Sequence, residues 1–391
     1  MRVLNPSSLN QWPTLGDMLA PERNSFGIIR LAMALCVLVS HCFFLATGSS
    51  LHEPLAWTGY TLGDYGVQVF FILSGILVTH SLAKSGDVVD FAIARGLRIF
   101  PGLIVCVAAV AFILGPFVSK LAFADYFASG ELPLYLMKTL LLTTGSAPLP
   151  HVFTELPARD LVNLSLWTLK YEVLCYFGLG AIGMAVFACR ERRVFGLGVA
   201  AVLLIAIFYK RPELGPDNTL LESIRYFALY FITGSIAFLF REQLPITALA
   251  LPPLFILCVA AIGTRWAELG SALLLGYAAL WSASFKFGNL RVLTNRYDIS
   301  YGTYIYGVPV TQTILHIWPA TSVPALIGLT ATVALPLAFV SWVFIERPAL
   351  RLRKEWRGWV GSRFRFLTIL DASSRRATHR PAATCLAADC D

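Results

Sequence analysis

The amino-acid sequence predicts an all-α integral membrane protein, a bundle of about ten transmembrane helices. Three observations carry this expectation. Hydrophobic residues fill 57% of the 391 positions and charged residues only 14%, whereas a soluble domain carries roughly 25% charged residues. Mean hydropathy is +0.68. Apolar runs recur along nearly the whole chain and are separated by short polar loops, so one integral domain is expected rather than a soluble domain with an anchor.

The expected spans are 26–46, 65–83, 97–118, 166–187, 194–209, 223–240, 246–263, 269–285, 299–317 and 322–345, with each boundary good to roughly four residues. The run at 132–144 is too short to cross a bilayer and reads as an interfacial or re-entrant helix within a long loop. Residues 1–25 are polar, contain Pro6, Pro13 and Pro21, and lack the apolar core of a cleavable signal. The chain therefore divides into a cytoplasmic N-terminal segment (1–25), a membrane domain (26–346) and a basic cytoplasmic tail (347–391). The end of that tail is rich in Ala, Ser and Arg and is expected to be disordered.

Orientation follows from the basic residues, because cytoplasmic loops retain Lys and Arg. Arg2, Arg23, Lys84, Arg95, Arg98, Arg190, Arg192, Arg193, Arg241, Lys286, Arg291 and Arg296 share one side with the basic tail, while the other side holds Lys120, Lys138, Arg159, Lys210, Arg211, Arg225 and Arg265 and its loops 47–64 and 318–322 have none. Both termini are expected inside. The net charge of +8 reflects this topology and an anionic inner leaflet rather than a nucleic-acid partner. Cys36, Cys42, Cys106, Cys175, Cys189 and Cys258 lie in or beside apolar runs without CxxC spacing, and Cys385 and Cys390 lie in the tail. Neither a metal site nor a disulfide framework is indicated.

Ionisable groups inside spans are costly and therefore candidates for function. Arg30 and His41 lie eleven residues apart in IIRLAMALCVLVSHCFF, a spacing that returns to within roughly 20° of one helix face at depths about 16 Å apart. A snorkelling Arg and a packing His are the structural alternative. Glu172, in SLWTLKYEVLCYF, counts to roughly 10 Å below the outer surface, a depth similar to that of His41. A carboxylate there could orient the imidazole and stabilise its charged form, or it could bond a Tyr or the backbone. Arg95 and Arg98, in FAIARGLRIFPGL, share a helical face, which suits a phosphate-bearing donor as well as a topology signal. Ser74, among Gly63, Gly66 and Gly75, reads as a packing residue. Loop 119–165 is long enough to be functional or disordered. Its Tyr126, Phe127, Tyr135, His151 and Phe153 could contact a sugar or rest at the interface.

The ordered set R-x10-H at 30–41, FFILSG at 70–75, RGLRIFP at 95–101, LWTLKYE at 166–172, SYGTYIY at 300–306 and ERP at 346–348 resembles the membrane acyltransferase-3 family, over about residues 24–350. The resemblance implies a ten-helix core in the bacterial inner membrane and transfer of an acyl group, acetyl first, from cytoplasmic acyl-CoA to a hydroxyl of a surface carbohydrate or glycolipid. It also implies catalytic roles for His41 and its companion Arg30, with Arg95 and Arg98 near the donor. The opening NSFGIIR departs from the Asp-Gly-Leu-Arg form of many members, and no hydrolase-like domain follows the core, so the acceptor stays open. The expected chemistry has His41 as general base, Glu172 orienting it and Arg30 stabilising charge; an acyl-His intermediate is the variant. A transporter or flippase is the alternative class, in which the same groups would line a substrate path.

Overall fold

A computed structural model of the protein describes residues 12–85, 87–143, 147–188, 196, 219–353 and 355. Among these the regular elements are helical, apart from one isolated backbone bridge between Thr14 and Pro245. Helix α1, Phe26–Thr47, is anchored at its start by Ser25, whose N–H donates to Ala283 O and whose hydroxyl donates to Phe285 O, each at 2.8 Å. It ends at Gly48, in the left-handed region at φ 71°, where the Gly48 N–H returns to Phe44 O. Helix α2, Leu62–Ser85, begins at a reciprocal cap in which Thr61 N–H donates to Asp64 and the Asp64 N–H donates to the Thr61 hydroxyl. Helix α3, Val88–Ala109, continues through a π-turn at Val110–Leu114 to Val118.

Two short helices follow, α4 (Phe123–Ala128) and α5 (Glu131–Leu140), then a 3-10 turn at Leu164–Thr168 that leads into α6 (Leu169–Ala188). The remaining helices are α7 (Thr219–Leu239), α8 (Leu251–Ala261), α9 (Ala267–Ala283), α10 (Gly288–Arg296), α11 (Ser300–Ile317) and α12 (Val323–Ser341), the last extended by a π-turn at Trp342–Glu346. Each expected span coincides with a helix except 194–209, of which only residue 196 is among the described residues. Among the described residues four helices are long and apolar enough to cross a membrane, Phe26–Thr47, Leu62–Ser85, Val88–Val118 and Val323–Arg353. The expected disorder at the end of the tail also lies outside the described residues.

The surface inverts the pattern of a soluble protein. Ile113 and Phe117 on the α3 segment, Phe255 and Ile256 on α8 and Phe344 beyond α12 are exposed, while Gln68, Asp90, Gln312 and Glu346 are buried. Lipid favours that arrangement, because polar groups must find partners inside the bundle. Helix α2 lies against α7 at Gly75 and Gly234, where an added Cβ would collide with the Phe231 and Ile72 carbonyl oxygens respectively. Only glycine allows the two backbones to approach so closely.

Two apolar cores fill the bundle. One joins the later part of α1 to α3, α11, α12 and the 119–165 segment; the other joins the start of α1 to α2, α6, α7 and α9. The long loop is thus a folded cap. Of the five side chains that could face a sugar or the interface, Tyr126, Tyr135 and Phe153 are buried in the first core, while Phe127 and His151 are exposed. Tyr126 donates to Ala111 O at 2.7 Å, and Gln312 holds the cap through Ala158 O at 2.8 Å and Leu161 O at 3.1 Å. The 131–140 helix belongs to this cap, with Leu132, Tyr135 and Thr139 buried.

Candidate active site

The seam between the cores holds two cavities. At the end of α1 that carries Phe26, here the near end, a cavity of about 120 Å³ is lined by Arg30, Arg95, Arg98, Ser74, Glu172 and Tyr176 among others. Asp298, just before α11, receives both Arg30 Nη1 and Arg98 Nη2 at 2.7 Å, and its second oxygen accepts from the Ser300 hydroxyl at 2.6 Å. Arg98 also reaches Glu346 at 3.3 Å, and Ser341 donates to Glu346 at 3.1 Å. Burial would raise the Asp298 pKa, but the two guanidiniums outweigh it and hold the carboxyl down to about 2. Arg98 is therefore a cross-link between α3, α11 and the end of α12.

Arg95 is placed differently. Its guanidinium lies over the Tyr176 ring, 5.9 Å from the centroid, and its buried Nε has no hydrogen-bond partner. A buried donor without a partner costs about 1–3 kcal/mol, and of the three arginines lining this cavity Arg95 alone lacks a carboxylate ion pair among the described residues, which leaves it the most open of the three to an anionic ligand. Of the two arginines expected near a phosphate-bearing donor, both line this cavity, and Asp298 and Glu346 pair with Arg98 but not with Arg95.

At the far end, toward Thr47, a cavity of about 460 Å³ is lined by half-buried His41 together with Glu53, Asp64, Tyr60, Trp167 and Tyr226. Ser40, the residue before His41, donates its hydroxyl to Glu53. Burial raises the Glu53 pKa, the Ser40 bond opposes that shift, and the Asp64 charge adds to it. Tyr60 stacks on Tyr226 with ring centroids 6.4 Å apart. Arg225 and Glu268, paired at 2.6 and 3.0 Å, neutralise each other. Val67 and Tyr304 line both cavities.

Arg30 and His41 fall on one stripe of α1 at two depths, as their spacing predicts, and each opens on a different cavity. Glu172 and His41 are not brought together. Glu172 accepts from the Ser74 hydroxyl at 3.2 Å and from Tyr176, in the near cavity. The discrepancy is one of depth: the chain already descends through the Leu164–Thr168 turn, which puts Glu172 about 16 Å along its segment, level with Ser74 at about 18 Å along α2, while His41 is only about 9 Å from the far end of α1. Ser74 is accordingly a cavity group bonded to Glu172 and Tyr176, and the packing role expected of it belongs to Gly75. Glu53 and Asp298 were not visible from sequence, since both lie in loops, where carboxylates are ordinary. Asp64 carried a signal as the acidic member of the Thr61–Asp64 capping pattern.

The fold and the cavities define an integral membrane protein whose interior offers a cationic pocket at one end and an acidic, aromatic pocket at the other. Its family is shown by comparison: residues 23–346 match the acyltransferase-3 family model, described as an acyltransferase domain, and the chain belongs to that family. It is 26% identical over 343 residues to a protein named O-acetyl transferase from Shigella phage Sf6, covering 83% of this chain and 96% of the relative. It is 27% identical over 361 residues to Nodulation protein 10 of Rhizobium leguminosarum bv. viciae, covering 85% of this chain and 94% of the relative. No solved structure matches the chain. The protein is an acyltransferase embedded in a membrane.

Proposed function

We propose that this enzyme moves an acyl group, acetyl first, from cytoplasmic acyl-CoA to a hydroxyl of a surface carbohydrate or glycolipid at the bacterial inner membrane. In this reading the bundle has about ten spans, both termini are cytoplasmic and the near cavity faces the cytoplasm. The supporting observation is the polarity of the two cavities and their common walls at Val67 and Tyr304. A phosphate-bearing donor suits the near end, where Arg95 has an unpartnered Nε and Arg30 adds positive potential. A neutral glycan suits the far end, where carboxylates can accept hydroxyl protons and aromatic rings can lie against sugar C–H faces.

His41 takes the proton of the acceptor hydroxyl as its oxygen attacks the thioester carbonyl carbon. The C–S bond then breaks, the sulfur leaves with the electron pair, and His41 returns the proton to it. Glu53, bonded to the neighbouring Ser40 and lining the same cavity, takes the orienting role first expected of Glu172. Glu172 holds Tyr176 beneath Arg95. The phage relative's printed name, O-acetyl transferase, favours acetyl as the group moved.

The test is transfer of label from acetyl-CoA in inverted membrane vesicles carrying the protein, read as ester-bound acetyl released by mild alkali. His41→Ala is expected to abolish it with the protein still inserted, since the replacement removes no backbone hydrogen bond. Near-normal transfer by that variant would end this mechanism.

A further inference from the structure

If the donor and acceptor approach from opposite cavities, the acyl group must pass the wall they share. Three contacts brace that wall. Val67 on α2 and Tyr304 on α11 face both cavities. The Tyr304 hydroxyl is hydrogen-bonded to Thr168, and its ring meets Phe70 edge-on at 6.1 Å. Phe71, which lines the near cavity, stacks at 4.5 Å on Phe227, which lines the far one. Thr168 belongs to the near cavity and its neighbour Trp167 to the far one. Tyr304 is thus pinned at both its ring and its hydroxyl, between two walls that are themselves stacked.

We propose that Val67 and Tyr304 form an acyl-length filter, so that the enzyme accepts short acyl groups because a longer chain cannot lie between this valine and the fixed tyrosine ring. The proposal rests on the donor-and-acceptor reading above and adds what that reading leaves open, which acyl chains are transferred. The rest of the near cavity does not supply the limit by charge, since Val67, Phe70, Leu73 and Leu77 give it an apolar wall that would welcome extra methylenes. What excludes them is the volume, about 120 Å³, and a boundary with no freedom to retreat. Close-packed walls transmit such a limit, because a pinned ring has no alternative rotamer space.

The experiment supplies inverted vesicles with equal labelled acetyl-, propionyl-, butyryl- and hexanoyl-CoA, then separates the alkali-released acids. The wild type is expected to yield mainly acetyl and propionyl esters. Tyr304→Ala and Val67→Ala should each raise the butyryl-to-acetyl ratio by about ten-fold, the scale set by a methylene or two in an apolar pocket, and Val67→Phe should suppress propionyl relative to acetyl. Tyr304→Phe keeps the ring and its edge contact with Phe70 and loses one pin, so the ratio should move far less than in Tyr304→Ala, which separates the ring as barrier from a role for the hydroxyl. Unchanged ratios in both enlarged variants overturn the proposal. So does loss of acetyl transfer in both, because widening a filter removes selectivity rather than turnover. No ester above vesicles lacking the protein would instead sink the donor-and-acceptor reading itself.

Discussion

Arg98→Ala and Arg95→Ala should fail in different ways, although the two residues are three apart on one helix. Arg98 is 13% exposed, and its partner Glu346 is 1% exposed. Removing the guanidinium leaves Glu346 buried with only the Ser341 hydroxyl, while Asp298 keeps Arg30. Breaking a buried pair in this way costs about 3–5 kcal/mol, a large share of the stability of any domain. Arg95 has no carboxylate partner among the described ion pairs, so its loss should spare stability and remove one charge-assisted donor contact, about 1.5–3 kcal/mol or roughly ten-fold or more in apparent affinity. Thermal unfolding in detergent and acetyl-CoA saturation curves on the same preparations separate the two outcomes. Arg98→Ala should melt well below wild type, and adding Glu346→Gln should recover part of the loss, a non-additivity expected of contacting groups. Arg95→Ala should melt near wild type with a raised KM for acetyl-CoA, and Arg95→Lys should restore it partly. An Arg98→Ala protein as stable as wild type, changed only in KM, would refute the division of roles.

Asp298→Asn gives a second outcome, with a defined sign. The folded carboxyl is held down to about 2 from 3.8, so the stability it contributes, roughly 2 kcal/mol, is full above pH 3.8 and is lost as pH falls toward 2; detergent melts across that window should slope for wild type and flatten for the variant, and equal slopes would count against the bridge. A third concerns coupling: in double-mutant cycles on transfer rate, Glu172→Gln should couple to Tyr176→Phe by about 0.5–3 kcal/mol and little to His41→Ala, while Glu53→Gln should couple to His41→Ala. Strong Glu172–His41 coupling would reverse the assignment of the orienting acid. For topology, cysteines introduced at Ser85 and Leu141 in a cysteine-depleted background should be labelled from inside and outside respectively, and the opposite pattern would invert the proposed orientation.

The helices were legible because hydropathy is a property of composition along the chain, and the stripe shared by Arg30 and His41 was legible because both lie on one uninterrupted helix. Depth across two helices was less so. Counting down from Glu172 assumed one rise per residue from one starting level, and the 3-10 turn at Leu164–Thr168 lengthened the descent. The capping role of Thr61 and Asp64 could be read locally. The counter-ions of Arg98 could not, because Asp298 and Glu346 lie 200 and 248 residues away in sequence and only the packing of α11 and α12 against α3 brings them in. Likewise, the length of the cap was visible but its folding was not, since the bonds from Gln312 to Ala158 and Leu161 span more than 150 residues.

The two π-turns show why azimuth is the hardest quantity to read from a membrane sequence. An ordinary helix would give Glu346 the face set by the periodicity of α12, and the extra residue in a π-turn rotates all that follows by about 100°. The turn at Trp342–Glu346 comes where Ser341, Trp342 and Glu346 all meet partners: Ser341 donates to Glu346, Trp342 lies under Arg98 at 5.5 Å, and Glu346 receives Arg98. The other, at Val110–Leu114, frees the Ala111 carbonyl from the regular ladder, and the buried Tyr126 hydroxyl of the cap takes it. Each segment, VAFIL and WVFIE, is followed two residues on by a proline, Pro116 and Pro348, which has no N–H to give the ladder and whose ring crowds the carbonyl four residues back. The polar partners then use the irregularity, the Tyr126 hydroxyl taking the freed Ala111 carbonyl and Glu346 meeting Arg98, so that buried groups are not left unpaired. In this bundle, backbone irregularity therefore marks where the cap and the arginine network attach, and hydropathy passes over it because both segments are as apolar as the helix around them.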